Sequence, residues 1–231
     1  MNALKFIWAT SLCIALGMGF VSCGDDNEEI EPMDKDIAGT EDEHEYVDLG
    51  LSVKWATCNV GASSPEEYGE YYAWGETEPD AFYDWSTYQW GSASSVIKYC
   101  TSSKFGPVDN KQALEPSDDV AQVKWGSDWR MPTRDEQDEL RDKCTWTWTT
   151  LNGTSGYKVT SKKNGNSIFL PAAGYRFGSS HGCAGSHGYY WSSNICSTHP
   201  DIAYSIRLYK TYVDWDYNNR YIGYSVRPVF P

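Results

Sequence analysis

Positive charge is what this sequence has least of. Its 231 residues include 19 Lys and Arg against 32 Asp and Glu, with four His, for a net charge of −13. No basic stripe runs through it, which argues against a nucleic-acid partner. Seven cysteines are present, yet no two stand in C-x-x-C spacing, so the usual framework of a zinc site is missing. The histidines are His44, His181, His187 and His199. His181 and His187 share the loop "GSSHGCAGSHGYY" with Cys183, but two imidazoles and one thiol fix no coordination geometry. No metal and no cofactor are expected.

The acidity is unevenly placed. The chain opens with "MNALKFIWATSLCIALGMGFVSC", one Lys followed by an apolar run of signal-peptide length, short for a membrane span. The run stops at Phe20-Val21-Ser22-Cys23, which resembles the lipobox of a bacterial lipoprotein, with Cys23 as the lipidated residue. Residues 1–22 are then a signal peptide, and the membrane partner is reached through the lipid. From Gly24 to Glu45 there are 11 acidic residues and one Lys. With Lys5 in the leader, that leaves a net charge of −4 for the rest of the chain. So acidic a stretch buries too little apolar surface to fold, and residues 23–44 are expected to be a solvated tether. The remaining residues, 45–231, are enough for one sizeable core.

Within that domain the periodicities imply an α+β architecture. "EYVDLGLSVKWATCNVG" predicts two short strands around Gly50. Ser64, Pro65 and Glu67 have the spacing of a capped helix start, with Gly69 limiting that helix to about two turns. Residues 75–125 are polar, rich in Ser, Pro and Asp, and predict an extended loop with strand fragments. Thr133 and Glu136 form a second capping box, predicting a surface helix over 134–143. Beyond Cys144 the period turns to two, and Asn152-Gly153 and Asn164-Gly165 predict hairpins. "GYYWSSN", "AYSIRLY", "YVDWD" and "GYSVRPVF" follow as strands of an antiparallel sheet. In "AYSIRLYK", Ile206 and Leu208 face inward and Ser205, Arg207 and Tyr209 outward.

Six segments in this order, "EYVDLGLSVKWATCNVGA", "YYAWGE", "WRMPTRDEQDEL", "FLPAAGYR", "YYWSS" and "GYSVRPV", together resemble the Fibrobacter-type major paralogous domain of Bacteroidetes lipoproteins. The likeness covers nearly all of residues 45–231. It implies a C-type-lectin-like fold and a distant similarity to formylglycine-generating enzymes. Some relatives are the variable proteins of diversity-generating retroelements, in which the stretch from "YWSS" to "SVRPV" is hypermutated to make new binding surfaces. The "GDD" after Cys23 is similar to the signal that sends such lipoproteins to the outer face of the outer membrane; a plain spacer is the alternative.

The resemblance makes the C-terminal strands the expected binding surface, for a protein or glycan ligand. Six tyrosines lie between Tyr204 and Tyr224, accompanied by Trp215 and by Asp and Asn side chains, the residue types that antibody paratopes use. Cross-strand packing is the competing use of the same rings. The expected exposed face is Tyr189, Asn194, His199, Asp201, Ser205, Arg207, Tyr209, Tyr212, Asp214, Asp216, Tyr217, Asn218, Tyr221 and Tyr224. Trp191, Ile206, Leu208, Val213 and Val226 are the expected core. Sugar-binding C-type lectins hold calcium with a Glu/Gln-Pro-Asn/Asp loop and a Trp-Asn-Asp strand. His199-Pro200-Asp201 and Trp215-Asp216 supply too few oxygens for that. Formylglycine-generating enzymes use a closely spaced Cys pair, whereas Cys183 and Cys196 stand thirteen apart. These two are either a redox pair or a disulfide stapling a loop. Pairings of Cys58 with Cys144 and Cys183 with Cys196 are expected, leaving Cys100 as the odd thiol. Enzyme activity is not expected; a formylglycine-generating-enzyme-like enzyme and a structural surface or fimbria-like component are the alternatives.

Overall fold

The computed structural model of the chain describes residues 36–231. The expected signal peptide, lipidation site Cys23 and first part of the tether fall outside the described residues. Strands β1 (Gly39–Glu41), β2 (His44–Val47) and β3 (Lys54–Ala56) come first. A long loop follows, carrying the two-residue strands β4 (Gly91–Ser92) and β5 (Ser95–Val96). Helices α1 (Val120–Trp125) and α2 (Arg134–Lys143) precede the strand-rich half. That half contains β6 (Cys144–Leu151), β7 (Thr154–Ser161), β8 (Ser167–Pro171), β9 (Tyr175–Phe177) and β10 (Ser180–Gly182). It ends with β11 (His187–Cys196), β12 (His199–Tyr209), β13 (Tyr212–Asn219) and β14 (Val229–Phe230). The sheets are β1-β2-β3-β14, β6-β7-β8 and β11-β12-β13, with ribbons β4-β5 and β9-β10. All named pairs are antiparallel, and with two helices the architecture is α+β.

Several elements follow directly from their residues. The Thr133 side chain accepts from the Glu136 backbone N–H at 3.2 Å, and the Glu136 carboxylate accepts from the Thr133 N–H at 2.8 Å. This closes the capping box and satisfies two of the orphan donors at the start of α2. Only Gln137 and Leu140 of that helix are buried, so its ends rather than its face define it. Thr133→Ala is expected to cost about 1 kcal/mol and lower Tm by about 2–4 °C, read by thermal circular dichroism. Asn152 and Gly153 both take positive φ, 47° and 82°, as a tight two-residue hairpin turn demands. Asn164-Gly165 instead sits in a five-residue connection between β7 and β8. There Asn164 and Asn166 both donate to the Asp48 carbonyl, at 2.8 and 2.9 Å.

Three expectations are corrected. The tether does not extend to residue 44. β1 and β2 pair as a hairpin, Trp129 Nε1 donates to the Glu41 carbonyl at 3.1 Å, and buried Asp36 accepts from the Ser167 hydroxyl at 2.6 Å. Acidic composition was outweighed here by strand pairing. Residues 64–69 form a turn and not a helix. Glu67 caps the Ser63 N–H instead, and Gly69, at φ 70°, lies against the Val60 carbonyl, which a Cβ would approach to 2.4 Å. The other helix is α1, inside the stretch expected to be loop. Asp119 caps it by accepting from Ala121 and Gln122 N–H, and its second oxygen accepts from Met131 N–H.

Two apolar cores result. One lies between the inner faces of β6-β7-β8 and β11-β12-β13, and includes Leu140, Val159, Leu170, Tyr190, Ile206 and Leu208. The other is largely aromatic and includes Tyr72, Trp74, Tyr99, Trp129, Trp191 and Tyr224. The C-terminal stretch stitches both together. Arg227 is 1 % exposed. Its guanidinium donates to Asn59 Oδ1 (2.9 Å) and to the carbonyls of Ala56 (3.1 Å), Thr57 (2.7 Å) and Phe169 (3.0 Å). Gly223 has no room for a side chain, since a Cβ would come within 2.6 Å of the Tyr83 ring. The expected core residues Trp191, Ile206, Leu208 and Val226 are buried; Val213 is half-buried and packs against the first core.

Candidate functional site

Register assigns the paired side chains of β11-β12-β13 to one of two faces. Tyr189, Trp191, Ser205, Arg207, Tyr209, Tyr212, Asp214, Asp216 and Asn218 share one face, directly opposite one another across the ladder. Tyr190, Tyr204, Ile206, Leu208, Val213, Trp215 and Tyr217 share the other. The second face packs on α2 and the β6-β7-β8 sheet. Arg134 of α2 lies over the rings of Tyr204 and Trp215, at 4.4 and 4.8 Å from the centroids.

The first face is open in part, and there it forms the wall of a cleft of about 350 Å³. Tyr189, Arg207, Asp216, Asn218 and Tyr224, all expected at the binding surface, line it together with Tyr175, Phe177 and Ile222. Arg207 Nη1 donates to Asp216 Oδ2 at 3.2 Å, and Asn218 Nδ2 to the Tyr224 hydroxyl at 3.0 Å. The guanidinium also sits 4.8 Å over the Tyr209 ring. Burial pulls Arg207 down, but Asp216 and the neighbouring tyrosines outweigh it and hold the group above its ordinary range. Among the described residues, buried Arg207 Nε has no hydrogen-bond partner, and neither has Ser205 Oγ. The cleft therefore joins aromatic walls to the charged Arg207–Asp216 pair and the Asn218 amide. That combination suits a ligand with both apolar and polar surface.

Not every expected surface residue is exposed, and some that line the cleft are themselves largely buried. Ser205 (1 % exposed), Tyr189, Tyr221 and Tyr224 are buried. Tyr224 packs between Tyr189 (4.9 Å) and Trp191 (4.3 Å). Tyr221 meets Trp85 at 5.0 Å. Strand alternation identifies a side chain's face but not what covers that face, and the terminal segment covers much of this one. Tyr217 is exposed, yet on the opposite face beside Trp215. Asn194 accepts from the Arg134 N–H at the start of α2, and exposed His199 stands against Phe105. Asp201 is half-buried, Tyr209 and Tyr212 pack on each other at 4.6 Å, and Asp214 pairs with Arg141 at 3.4 Å. Tyr175, Phe177 and Ile222 escaped sequence reasoning, because their approach to β12 and β13 is tertiary; the aromatic pair in "GYRFG" was the available signal.

The expected disulfides are absent. Cys58, Cys100, Cys144, Cys183 and Cys196 are all free. Cys183 precedes β11 and Cys196 ends it. Ten residues of strand span roughly 30 Å, whereas bridged Cα atoms lie within about 7 Å. Cys144 is buried with Leu140 and Val159, while Cys58 lines a surface cleft beside Trp125. A thiol reagent is expected to label exposed Cys183 first in the native protein. Buried Cys100 and Cys144 should label only on unfolding, with no reductant required for any of the five. Among the described residues no three His, Cys, Asp or Glu side chains converge as metal ligands would. No helix among them is long and apolar enough to cross a membrane. No known family, curated protein or solved structure matches the chain.

Proposed function

We propose that this chain is a lipid-anchored, surface-exposed binding module of C-type-lectin-like fold, which holds a protein or glycan ligand in the Arg207–Asp216 cleft. The observation that carries the reading is the convergence of Tyr189, Arg207, Asp216, Asn218 and Tyr224 on one concave site. Both residues of the polar pair are half-buried, and the mouth is flanked by exposed Phe177. A rigid frame supports variation at that site: Trp191 and Leu208 are fully buried beneath it, so changes at Arg207, Asp216 or Asn218 alter the wall without emptying the core. Diversification by a retroelement would act on such positions.

The test is a screen of the full-length chain against glycan and protein arrays, in parallel with Arg207→Ala. A ligand captured by the parent and lost by the variant supports the reading. Ligands captured equally by both, with the two proteins equally folded, contradict it.

A further inference from the structure

A second cleft, of about 400 Å³, opens on the other side of β9. Strand alternation sends Tyr175 and Phe177 to the first cleft and Arg176, between them, to this one. Its other principal lining groups are Glu70, Tyr71, Asp80, Tyr83 and Ser179. The two tyrosine hydroxyls are engaged inward: Tyr71 donates to the Ala173 carbonyl and Tyr83 to the Tyr71 carbonyl, each at 2.6 Å. Their rings therefore serve as wall. The Arg176 guanidinium lies 5.3 Å from the Tyr71 ring centroid. Among the described residues it forms no ion pair and no side-chain hydrogen bond.

Charge in this cleft is separated rather than neutralised. Glu70 accepts from the Tyr72 hydroxyl and keeps its second oxygen. Asp80 neighbours buried Glu76, whose carboxyl is pushed well above the usual range by its burial. The Arg176 guanidinium and the Glu70 and Asp80 carboxylates thus line one cavity, and among the described residues Arg176 pairs with neither. A purely anionic ligand would meet Glu70 and Asp80, and a purely cationic one would meet Arg176. An apolar ligand would leave all three charges desolvated and unpaired.

We infer that this cleft binds a small zwitterion, an amino acid or a short peptide with both termini free. Its carboxylate would sit on Arg176 and its ammonium against Glu70 and Asp80. Arginine suits the carboxylate end because its planar fork offers two parallel donors. Tyr71 and Tyr83 give the intervening carbon atoms an aromatic surface. The cavity has the volume of ordinary small-molecule sites. This site is independent of the Arg207–Asp216 cleft and does not rest on that assignment.

The experiment is calorimetric titration of the full-length chain with alanine, Ala-Ala, Nα-acetyl-Ala-Ala and Ala-Ala amide. Alanine or Ala-Ala is expected to bind, and which of the two binds tighter distinguishes a free amino acid from a peptide. Each blocked dipeptide should bind at least about tenfold more weakly than Ala-Ala, the scale of one lost charge-assisted contact. Arg176→Gln should bring Ala-Ala down to the level of the amide while leaving the amide unchanged. Glu70→Gln with Asp80→Asn should do the same relative to the acetylated form. Near-ultraviolet circular dichroism confirms that each variant is folded, and Arg176→Lys, which keeps the charge, should recover part of the affinity. Blocked and free dipeptides binding equally, or no binding of either free probe at millimolar concentration, would overturn the inference.

Discussion

Arg227→Leu is expected to lower the melting temperature by about 10 °C or more, the equivalent of about 3–5 kcal/mol. The side chain donates four hydrogen bonds to neutral acceptors that have no access to water. Leucine fills much of the volume but leaves Asn59 Oδ1 and three backbone carbonyls unpaired, and each such buried group costs about 1–3 kcal/mol. Removing a desolvated charge offsets part of that loss, since burial alone already lowers the pKa of this guanidinium. The net effect stays large because the three carbonyls belong to different segments, Ala56 and Thr57 on one side and Phe169 on the other. Thermal denaturation checks it, and an unchanged midpoint would show that the network contributes nothing net.

The second large effect concerns binding. Arg207→Ala combined with Asp216→Ala is expected to weaken ligand capture at least about a hundredfold while shifting stability by about 1 kcal/mol or less. The pair is half-buried, joining central strand β12 to edge strand β13, and a partly exposed ion pair of this kind adds about 0–1 kcal/mol to folding. Bound ligand would enclose both groups, and truncating a desolvated polar anchor commonly costs about 2–4 kcal/mol of binding. Removing both members together avoids leaving one charge unpaired. The same measurement on Trp215→Ala with Tyr217→Ser, a pair exposed on the opposite face, should leave affinity within about threefold.

The elements that local chemistry controls were legible in the sequence, and those that burial controls were not. Thr133 and Glu136 mark α2 because a capping box is a contact between residues three apart. Asn152-Gly153 marks a hairpin because only such residues readily accept positive φ twice in succession. The inward direction of Ile206 and Leu208 follows from a period of two. Ser205 shows the limit of that rule. It lies on the outward face as alternation requires, yet it is buried because other segments cover that face. The aromatic stretch at the C terminus divides the same way. Tyr221 and Tyr224 pack inside, Tyr212 and Tyr217 stand in solvent on opposite faces, and no spacing in the chain separates these cases. Helix α1 was missed because six residues give too little periodicity, although Asp119 and Gly126 bracket it as cap and stop.

Placement of the ligand is the central claim, and two positions of equal exposure test it. Phe177, at the mouth of the Arg207–Asp216 cleft, and Tyr217, on the opposite face, are each 50 % exposed. A photo-crosslinking amino acid is installed at either position, and each protein is irradiated with the array-selected ligand bound. Crosslinking from position 177 and none from position 217 is the predicted result. Efficient crosslinking from 217 with none from 177 would place the ligand on the other face and contradict the account.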